Sequence, residues 1–249
     1  MMPKPTTAPK SRMVSDIEVR IAALDWPRIV ADLDQFGAAR TGPLLSASEC
    51  AACSGQYDAT GMFRSKVIMA RHGFGRGEYQ YYAYPLPDMI AGLRTVLYPR
   101  LAPLANRWVA AMGMDVAFPG THAEFLARCH SAGQVRPTPL LLRYTAGDYN
   151  CLHQDLYGAH VFPLQVTILL SEPGRDFTGA EFVLTEQRPR MQSRAEVVSL
   201  CQGEAVIFAV HGRPVVGSRG VYRVNMRHGV SRLHSGTRHT LGVIFHDAA

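Results

Sequence analysis

The sequence predicts a mainly β protein, a sandwich or jelly roll buttressed by α-helices that lie N-terminal to it. Two observations lead to this prediction. Apolar residues recur at helical spacing only in the first half of the 249 residues. From Pro137 onward, short apolar runs alternate with Gly, Pro and Asp, at a spacing typical of an antiparallel barrel rather than of alternating strands and helices.

The composition indicates one enzyme-sized unit. Hydrophobic residues make up 47% of the chain and charged residues 18%, which excludes a disordered or collagen-like protein. No apolar run approaches the roughly 20 residues of a membrane helix, so no membrane association is expected, and no segment resembles a secretion signal. The five cysteines are an odd number, which favours free thiols in a reducing, cytoplasmic location.

The N-terminal half is predicted to be mostly helical. Residues 1–15 are assigned as a disordered tail, and residues 16–135 as helical support and a substrate-facing region. Apolar periodicity predicts helices in three segments, namely 16–36 in two pieces that meet near Pro27, 88–111 interrupted by Pro99 and Pro103, and 121–130.

The C-terminal half, residues 136–249, is predicted to be the β core, forming one compact unit with the region before it. Short apolar runs bounded by turn residues predict seven strands, at residues 140–144, 164–170, 181–184, 196–200, 205–210, 223–230 and 238–245. The tyrosines between residues 79 and 84 predict an additional early strand in one of the sheets.

The motif His153-Gln154-Asp155 is the strongest chemical signal. On an extended segment, residues two apart point to the same side, so the imidazole and the carboxylate converge. A third ligand must come from elsewhere, and His228, on a later predicted strand, is preferred over His211 and His234. Two histidines and one carboxylate on one face of a metal are typical of non-heme iron(II) oxygenases.

The residues around this motif form a longer pattern. Residues 144–155 read Tyr-x-x-Gly-x(5)-His-x-Asp, and His228 is followed ten residues later by Arg238 within a Gly-x-Arg. Together these motifs resemble the 2-oxoglutarate- and iron(II)-dependent dioxygenase superfamily over residues 136–245. The resemblance implies that the jelly roll is a double-stranded β-helix.

The resemblance also implies the site residues and the cofactors. Iron(II) is bound by His153, Asp155 and His228. Arg238 anchors the distal carboxylate of 2-oxoglutarate, since a guanidinium pairs bidentately with a carboxylate. Tyr144 and Thr240 are candidate hydrogen-bond donors to the same cosubstrate, although a buried phenol and an ordinary strand threonine are alternative interpretations. The implied reaction consumes O2 and hydroxylates a C–H bond, with ascorbate as a candidate stimulant.

The substrate is left open between several classes. The sequence around His153 resembles alkylation-repair demethylases, including a prokaryotic branch described as oxidative demethylases of alkylated DNA. The ten-residue gap to Arg238 is instead the pattern of prolyl hydroxylases, because the repair enzymes place the arginine further on. A protein side-chain or small-molecule hydroxylase is therefore the alternative enzyme, and a metal-binding β-barrel sensor module is the alternative outside catalysis.

Residues 62–85 interleave cationic and aromatic side chains, as a surface for an extruded base requires. The candidate substrate-binding residues are Arg71, Phe74, Arg76, Tyr79 and Tyr81. A half-buried strand with a glycine turn is the alternative interpretation. The net charge of +6 permits a nucleic-acid partner without requiring one, because half of it lies in the N-terminal tail.

Overall fold

The computed structural model describes residues 12–218 and 220–249, with side chains from residue 16 onward. It contains five α-helices and fourteen strands within these ranges. None of the helices there is long and apolar enough to cross a membrane. All five cysteines are unpaired, as predicted.

The helices lie before the β core, as predicted. They are α1 (Arg12–Ala22), α2 (Trp26–Phe36), α3 (Ala47–Ser54), α4 (Asp88–Ala111) and α5 (His122–Ser131). The pair of helices expected around Pro27 is confirmed, with Gly37 at a φ of 76° ending α2, a conformation that favours glycine. Because α1 begins at Arg12, residues 12–15 of the expected tail are helical, while residues 1–11 lie outside the described part.

Helix α4 departs from the prediction because it is continuous through Pro99 and Pro103. A proline costs a helix one backbone hydrogen bond and some steric freedom. In α4 this cost is offset by burial, since Leu93, Leu97 and Trp108 along the helix are all 0% exposed. Long-range packing therefore outweighs the local helix-breaking tendency of the two prolines.

The strands form two antiparallel sheets. Their bounds are β1 (Ala38–Pro43), β2 (Phe63–Ile68), β3 (Gly75–Arg76), β4 (Glu78–Tyr82), β5 (Leu140–Thr145), β6 (Tyr149–His153), β7 (Leu164–Leu169), β8 (Phe177–Gly179), β9 (Phe182–Gln187), β10 (Arg194–Val198), β11 (Glu204–Ala209), β12 (Gly212–Gly217), β13 (Gly220–Val230) and β14 (Leu233–Val243). The larger sheet has the order β1-β11-β7-β14-β5-β4-β2 with β8 beside β14, and the smaller sheet has the order β10-β9-β13-β6-β3 with β12 beside β13.

All seven predicted core strands and the early tyrosine strand are present. Among the described residues before 136, α-helices cover more positions than strands, as expected, but β1 to β3 arise there in addition to the expected tyrosine strand β4. Three of these four strands extend the edges of the larger sheet, and β3 extends the smaller one. The N-terminal half thus completes both sheets instead of only supporting them.

The main hydrophobic core joins the sheets to the helical layer. Strand β11 is buried over five of its six residues, which reads as a continuous apolar run because the strand is covered on both faces. Helices α2, α3 and α4 contact β1, β11 and β14 of the larger sheet. The helices hold the larger sheet in place, and a cavity lies within the β core.

Candidate metal centre and cavity

Two histidines are brought together by strand pairing in the smaller sheet. His228 on β13 lies directly opposite His153 at the end of β6, and their ring centroids are 4.2 Å apart. Asp155 follows two residues beyond the end of β6. Two residues that are 75 positions apart in sequence therefore meet because the register of one antiparallel pair places them side by side.

The three side chains form a compact donor set. Nε2 of His153 lies 3.5 Å from Oδ1 of Asp155, and Nε2 of His228 lies 3.4 Å from Oδ2. The candidate ligand atoms all lie within 4.8 Å of one another. Nitrogen and oxygen ligands about 2.0 to 2.2 Å from a metal ion have similar separations, so the cluster fits one divalent ion.

The orientation of His153 supports metal binding. Its Nδ1 lies 2.8 Å from the carbonyl oxygen of Cys151, so a proton on Nδ1 donates to that carbonyl and the lone pair of Nε2 is free. Such a hydrogen bond from the far ring nitrogen is usual for metal-bound histidines. Nε2 of each histidine faces the carboxylate of Asp155, and an ion would lie in the space between these three groups.

The carboxylate of Asp155 is ionised despite its burial. Burial alone would raise the pKa of this carboxyl, but the adjacent imidazoles of His153 and then His228 outweigh burial and hold its pKa well below the usual value. Burial also lowers the pKa of His228, assisted by the neighbouring His153. A negative carboxylate and a neutral imidazole are the protonation states that bind metal ions.

Tyr157 is a site residue that the sequence interpretation missed. Its hydroxyl donates a 2.6 Å hydrogen bond to Oδ1 of Asp155 and accepts one of 3.2 Å from Tyr81. A hydrogen bond to a ligating carboxylate fixes its orientation and leaves the other oxygen, Oδ2, for the ion. The signal was available, because residue 157 continues the two-residue alternation of His153 and Asp155.

Arg238 lies in the same cavity as the metal cluster. It is paired with Tyr144 across β14 and β5, and it is only 2% exposed. Its Nε and Nη1 have no hydrogen-bond partner within the described residues. Burial lowers the pKa of the guanidinium to about 10, so the side chain carries a full positive charge at neutral pH.

A buried cation with free donors requires an anionic partner, because an isolated charge in the protein interior is costly. The cavity has a volume of about 330 Å³ and is lined both by the three candidate ligands and by Arg238. Thr240 lines it as well and is 2% exposed. The candidate metal ligands and a buried guanidinium with free donors therefore face the same enclosed space.

The structure separates the five candidate substrate residues. Phe74 and Tyr79 line the cavity, and Phe74 is 48% exposed. Arg71 and Arg76 are exposed and do not line it, and Nε of Arg76 lies 3.8 Å from Asp148. Tyr81 is only 8% exposed and does not line the cavity, and its hydroxyl donates to that of Tyr157, which holds Asp155.

The glycines near Phe74 fix its position at the cavity. Gly75 has a φ of +124°, and a Cβ there would lie 2.4 Å from the carbonyl oxygen of Tyr149. Only glycine allows β3 to approach β6 this closely. The backbone N–H of Cys151 then donates to the carbonyl of Phe74 at 2.9 Å, so the backbone of Phe74 is held against β6 beside β3.

Comparison with known proteins agrees with this geometry. A family model described as "Oxygenase, catalysing oxidative methylation of damaged DNA" (Oxygenase-NA) matches residues 77–248. Uncharacterized proteins from two strains of Mycobacterium tuberculosis are 50% identical over 165 residues, covering 66% of this chain and 71% of theirs. The family match spans more than half of the chain.

Solved structures with the same fold are distant in sequence. A prolyl-4-hydroxylase from Pseudomonas putida is 15% identical, with a TM-score of 0.52, over 90% of this chain and 100% of its own. A prolyl hydroxylase from Trichoplax adhaerens, bound to a hypoxia inducible factor peptide, is 13% identical with a TM-score of 0.54, over 97% and 94%. A 2OG-Fe(II) oxygenase family protein from Burkholderia pseudomallei is 14% identical with a TM-score of 0.51, over 90% and 93%.

The match over residues 77–248 and the shared jelly-roll architecture lead to one assignment. The chain belongs to the Oxygenase-NA family of oxygenases and has the fold of the 2-oxoglutarate- and iron(II)-dependent oxygenases.

Proposed function

We propose that the protein is an iron(II)- and 2-oxoglutarate-dependent dioxygenase that oxidises methyl groups on damaged nucleic-acid bases. The observation that carries the proposal is the shared cavity, in which the His153, Asp155 and His228 donor set and the unpartnered Arg238 face the same space. The donor set suits iron(II), and Arg238 supplies the charge that a dicarboxylate needs.

In this proposal His153, Asp155 and His228 hold the metal. When bound, iron(II) supplies the coupling of O2 reduction and 2-oxoglutarate decarboxylation to the hydroxylation of a C–H bond. Three protein ligands leave the remaining coordination positions for the cosubstrate and O2. Tyr157 keeps the carboxylate of Asp155 oriented through its 2.6 Å hydrogen bond.

Arg238 binds the distal carboxylate of 2-oxoglutarate through its free Nε and Nη1 donors. Thr240 is two residues further along β14, so it points to the same side of the strand and donates its hydroxyl to the same carboxylate. Tyr144 is fully buried opposite Arg238 and lines the same cavity. These side chains exclude water from the cosubstrate and set its distance from the metal cluster.

The description of the family supports damaged DNA as the substrate. Insertion of oxygen into a methyl C–H bond produces a hydroxymethyl group, which leaves a base nitrogen as formaldehyde. The net result is removal of the methyl group. Phe74, which is exposed at the cavity, and Tyr79 in its wall offer aromatic surfaces on which an extruded base can stack.

Hydroxylation of a protein side chain is the second candidate. The ten-residue spacing between His228 and Arg238 favours it, because this spacing resembles the prolyl hydroxylases. A small-molecule substrate would use the same cavity. The sensor-module alternative has no support from the family, which is one of oxygenases.

The substrate classes are separated by their products. The protein is incubated with iron(II), 2-oxoglutarate and O2, with or without ascorbate, and with methylated oligonucleotides or proline-containing peptides. Release of formaldehyde and succinate only with the oligonucleotides supports the proposal. A mass gain of one oxygen on a peptide, without formaldehyde from any oligonucleotide, contradicts it. The Asp155→Ala variant, which lacks one metal ligand, controls for metal-independent background.

A further inference from the structure

A group of arginines occupies two neighbouring hairpins of the smaller sheet. One hairpin joins β9 to β10, and the other joins β12 to β13. We define the arginine surface by its five arginines, Arg188, Arg190, Arg194, Arg223 and Arg227. Residues 186–227 hold seven arginines, no lysines and three glutamates, a net charge of +4. This segment therefore carries a local excess of positive charge, besides that of the N-terminal tail.

Three of these arginines are free to bind a ligand. Arg190, Arg223 and Arg227 are exposed and make no ion pair or side-chain hydrogen bond with any residue that the structure describes. Arg188 and Arg194 differ, because both reach the buried carboxylate of Glu186, at 2.8 Å and 3.7 Å. The surface thus combines two arginines that are fixed by Glu186 with three that have no partner among the described residues.

The register of β13 places the free arginines on its outer side. Residues 223 to 228 alternate between exposed and buried, and His228 points inward to the cavity. Arg223 and Arg227 therefore point outward, about 13 Å apart along the strand. Both arginines lie on the same strand as His228, so their distance from the cavity is fixed by the strand.

The two hairpins extend beyond the rim of the cavity. Pairing of β13 with β6 ends at His228 and His153, where the chain leaves β6 and turns toward Asp155. The part of β13 before residue 226 pairs with β12 instead. Gln154 connects this turn to the hairpin, because its side-chain amide donates to the carbonyl of Met226 at 2.7 Å.

We infer that the arginine surface binds the phosphate backbone of a nucleic acid whose methylated base enters the cavity, an inference that rests on the proposed function. Guanidinium groups pair with phosphate oxygens in a bidentate manner. Separate arginines on a rigid sheet contact successive phosphates and position the strand without reading its sequence.

The test measures binding without turnover. Fluorescence anisotropy follows a fluorescein-labelled, unmethylated 20-mer DNA, single- or double-stranded, with the full chain at 50 to 200 mM NaCl. The variant R190Q/R223Q/R227Q removes the three free arginines. The matched control R100Q/R136Q/R232Q removes three exposed arginines outside the two hairpins, so both variants lose the same net charge.

The hairpin variant is expected to bind DNA at least about tenfold more weakly at 100 mM NaCl. The slope of log affinity against log salt should become shallower by about 0.9 per lost contact on duplex. The control should stay within about twofold of the unmodified chain, and both variants should unfold thermally as it does. Equal losses in the two variants, or no measurable DNA binding by the unmodified chain, overturn the inference.

Two further measurements distinguish a phosphate-backbone surface from a membrane surface, and DNA binding from catalysis. Val216 is 84% exposed and Met191 61%, so vesicles containing phosphatidylserine are tested too. Hairpin-dependent binding to vesicles but not to DNA overturns the inference.

Formaldehyde release from a methylated trinucleotide, too short to span the surface, should be equal in the hairpin variant and the unmodified chain. If no methylated substrate is oxidised but hairpin-dependent DNA binding persists, the surface assignment stands and the proposed function fails.

Discussion

Replacing Arg238 with methionine tests the cosubstrate site most directly, because the substitution keeps an unbranched apolar stem and removes the charged guanidinium. Arg238 is 2% exposed and its Nε and Nη1 are unpartnered within the described residues. Loss of a buried, hydrogen-bonded charge pair with a carboxylate costs about 3 to 4 kcal/mol. The dissociation constant of 2-oxoglutarate should therefore rise about 100- to 1000-fold.

The same substitution should not lower the stability of the protein without cosubstrate. In that state the guanidinium is a buried charge with free donors, which is unfavourable. We therefore expect that Arg238→Met leaves the thermal unfolding temperature unchanged or raises it. A residue retained for binding at some cost in stability is common at functional sites.

Anaerobic calorimetric titration of 2-oxoglutarate into the manganese-loaded protein measures the cosubstrate affinity, and a separate titration measures metal affinity. Metal affinity should change less than threefold in Arg238→Met. The matched variant Thr240→Val removes one hydroxyl and should weaken 2-oxoglutarate by only about fivefold, as for one hydrogen bond. Cosubstrate affinity that survives in Arg238→Met, or metal affinity that collapses, would refute these roles.

Three other predictions concern the groups behind the cavity. Tyr157→Phe removes the hydrogen bond to Asp155 and should weaken manganese binding about 10- to 100-fold by calorimetry; unchanged affinity would contradict the orienting role. Burial lowers the pKa of His246 to about 4. As the pH falls, this imidazole is therefore protonated in the unfolded chain before it is protonated in the folded one, and the free energy of unfolding should fall by up to about 3 kcal/mol between pH 6.5 and 4. His246→Asn should remove that part of the pH dependence measured by urea denaturation. Arg94→Met breaks the 2.9 Å ion pair with Asp247, in which the two side chains are 1% and 0% exposed. The free energy of unfolding measured in urea should fall by at least about 3 kcal/mol. A fall below about 1 kcal/mol would show that Asp247 is held by its other partners.

The β core and the metal cluster could be predicted because their signals are local. Residues such as those of β11 form a continuous apolar run, and His153 and Asp155 are two residues apart. Arg238 and His228 were found through the fixed spacing of a known pattern. In each of these cases a short stretch of sequence carries the information.

Other elements could not be predicted because long-range contacts decide them. Strand β1 reads Ala-Ala-Arg-Thr-Gly-Pro, which has little strand propensity, and it forms only because β11 provides a partner. Strand β6 is mostly exposed, so it lacks the alternation that marks a half-buried strand. For α3 a capping box of Ser46 and Glu49 was present in the sequence and could have been recognised.

The pairing of His228 with His153 ties assembly of the barrel to its capacity for metal. A slip of one residue along β13 would put Gly229 opposite His153 and turn the imidazole outward. An ion that binds all three side chains therefore stabilises only molecules in the correct register, by mass action. Metal binding and the register of one strand pair are therefore thermodynamically linked in this fold.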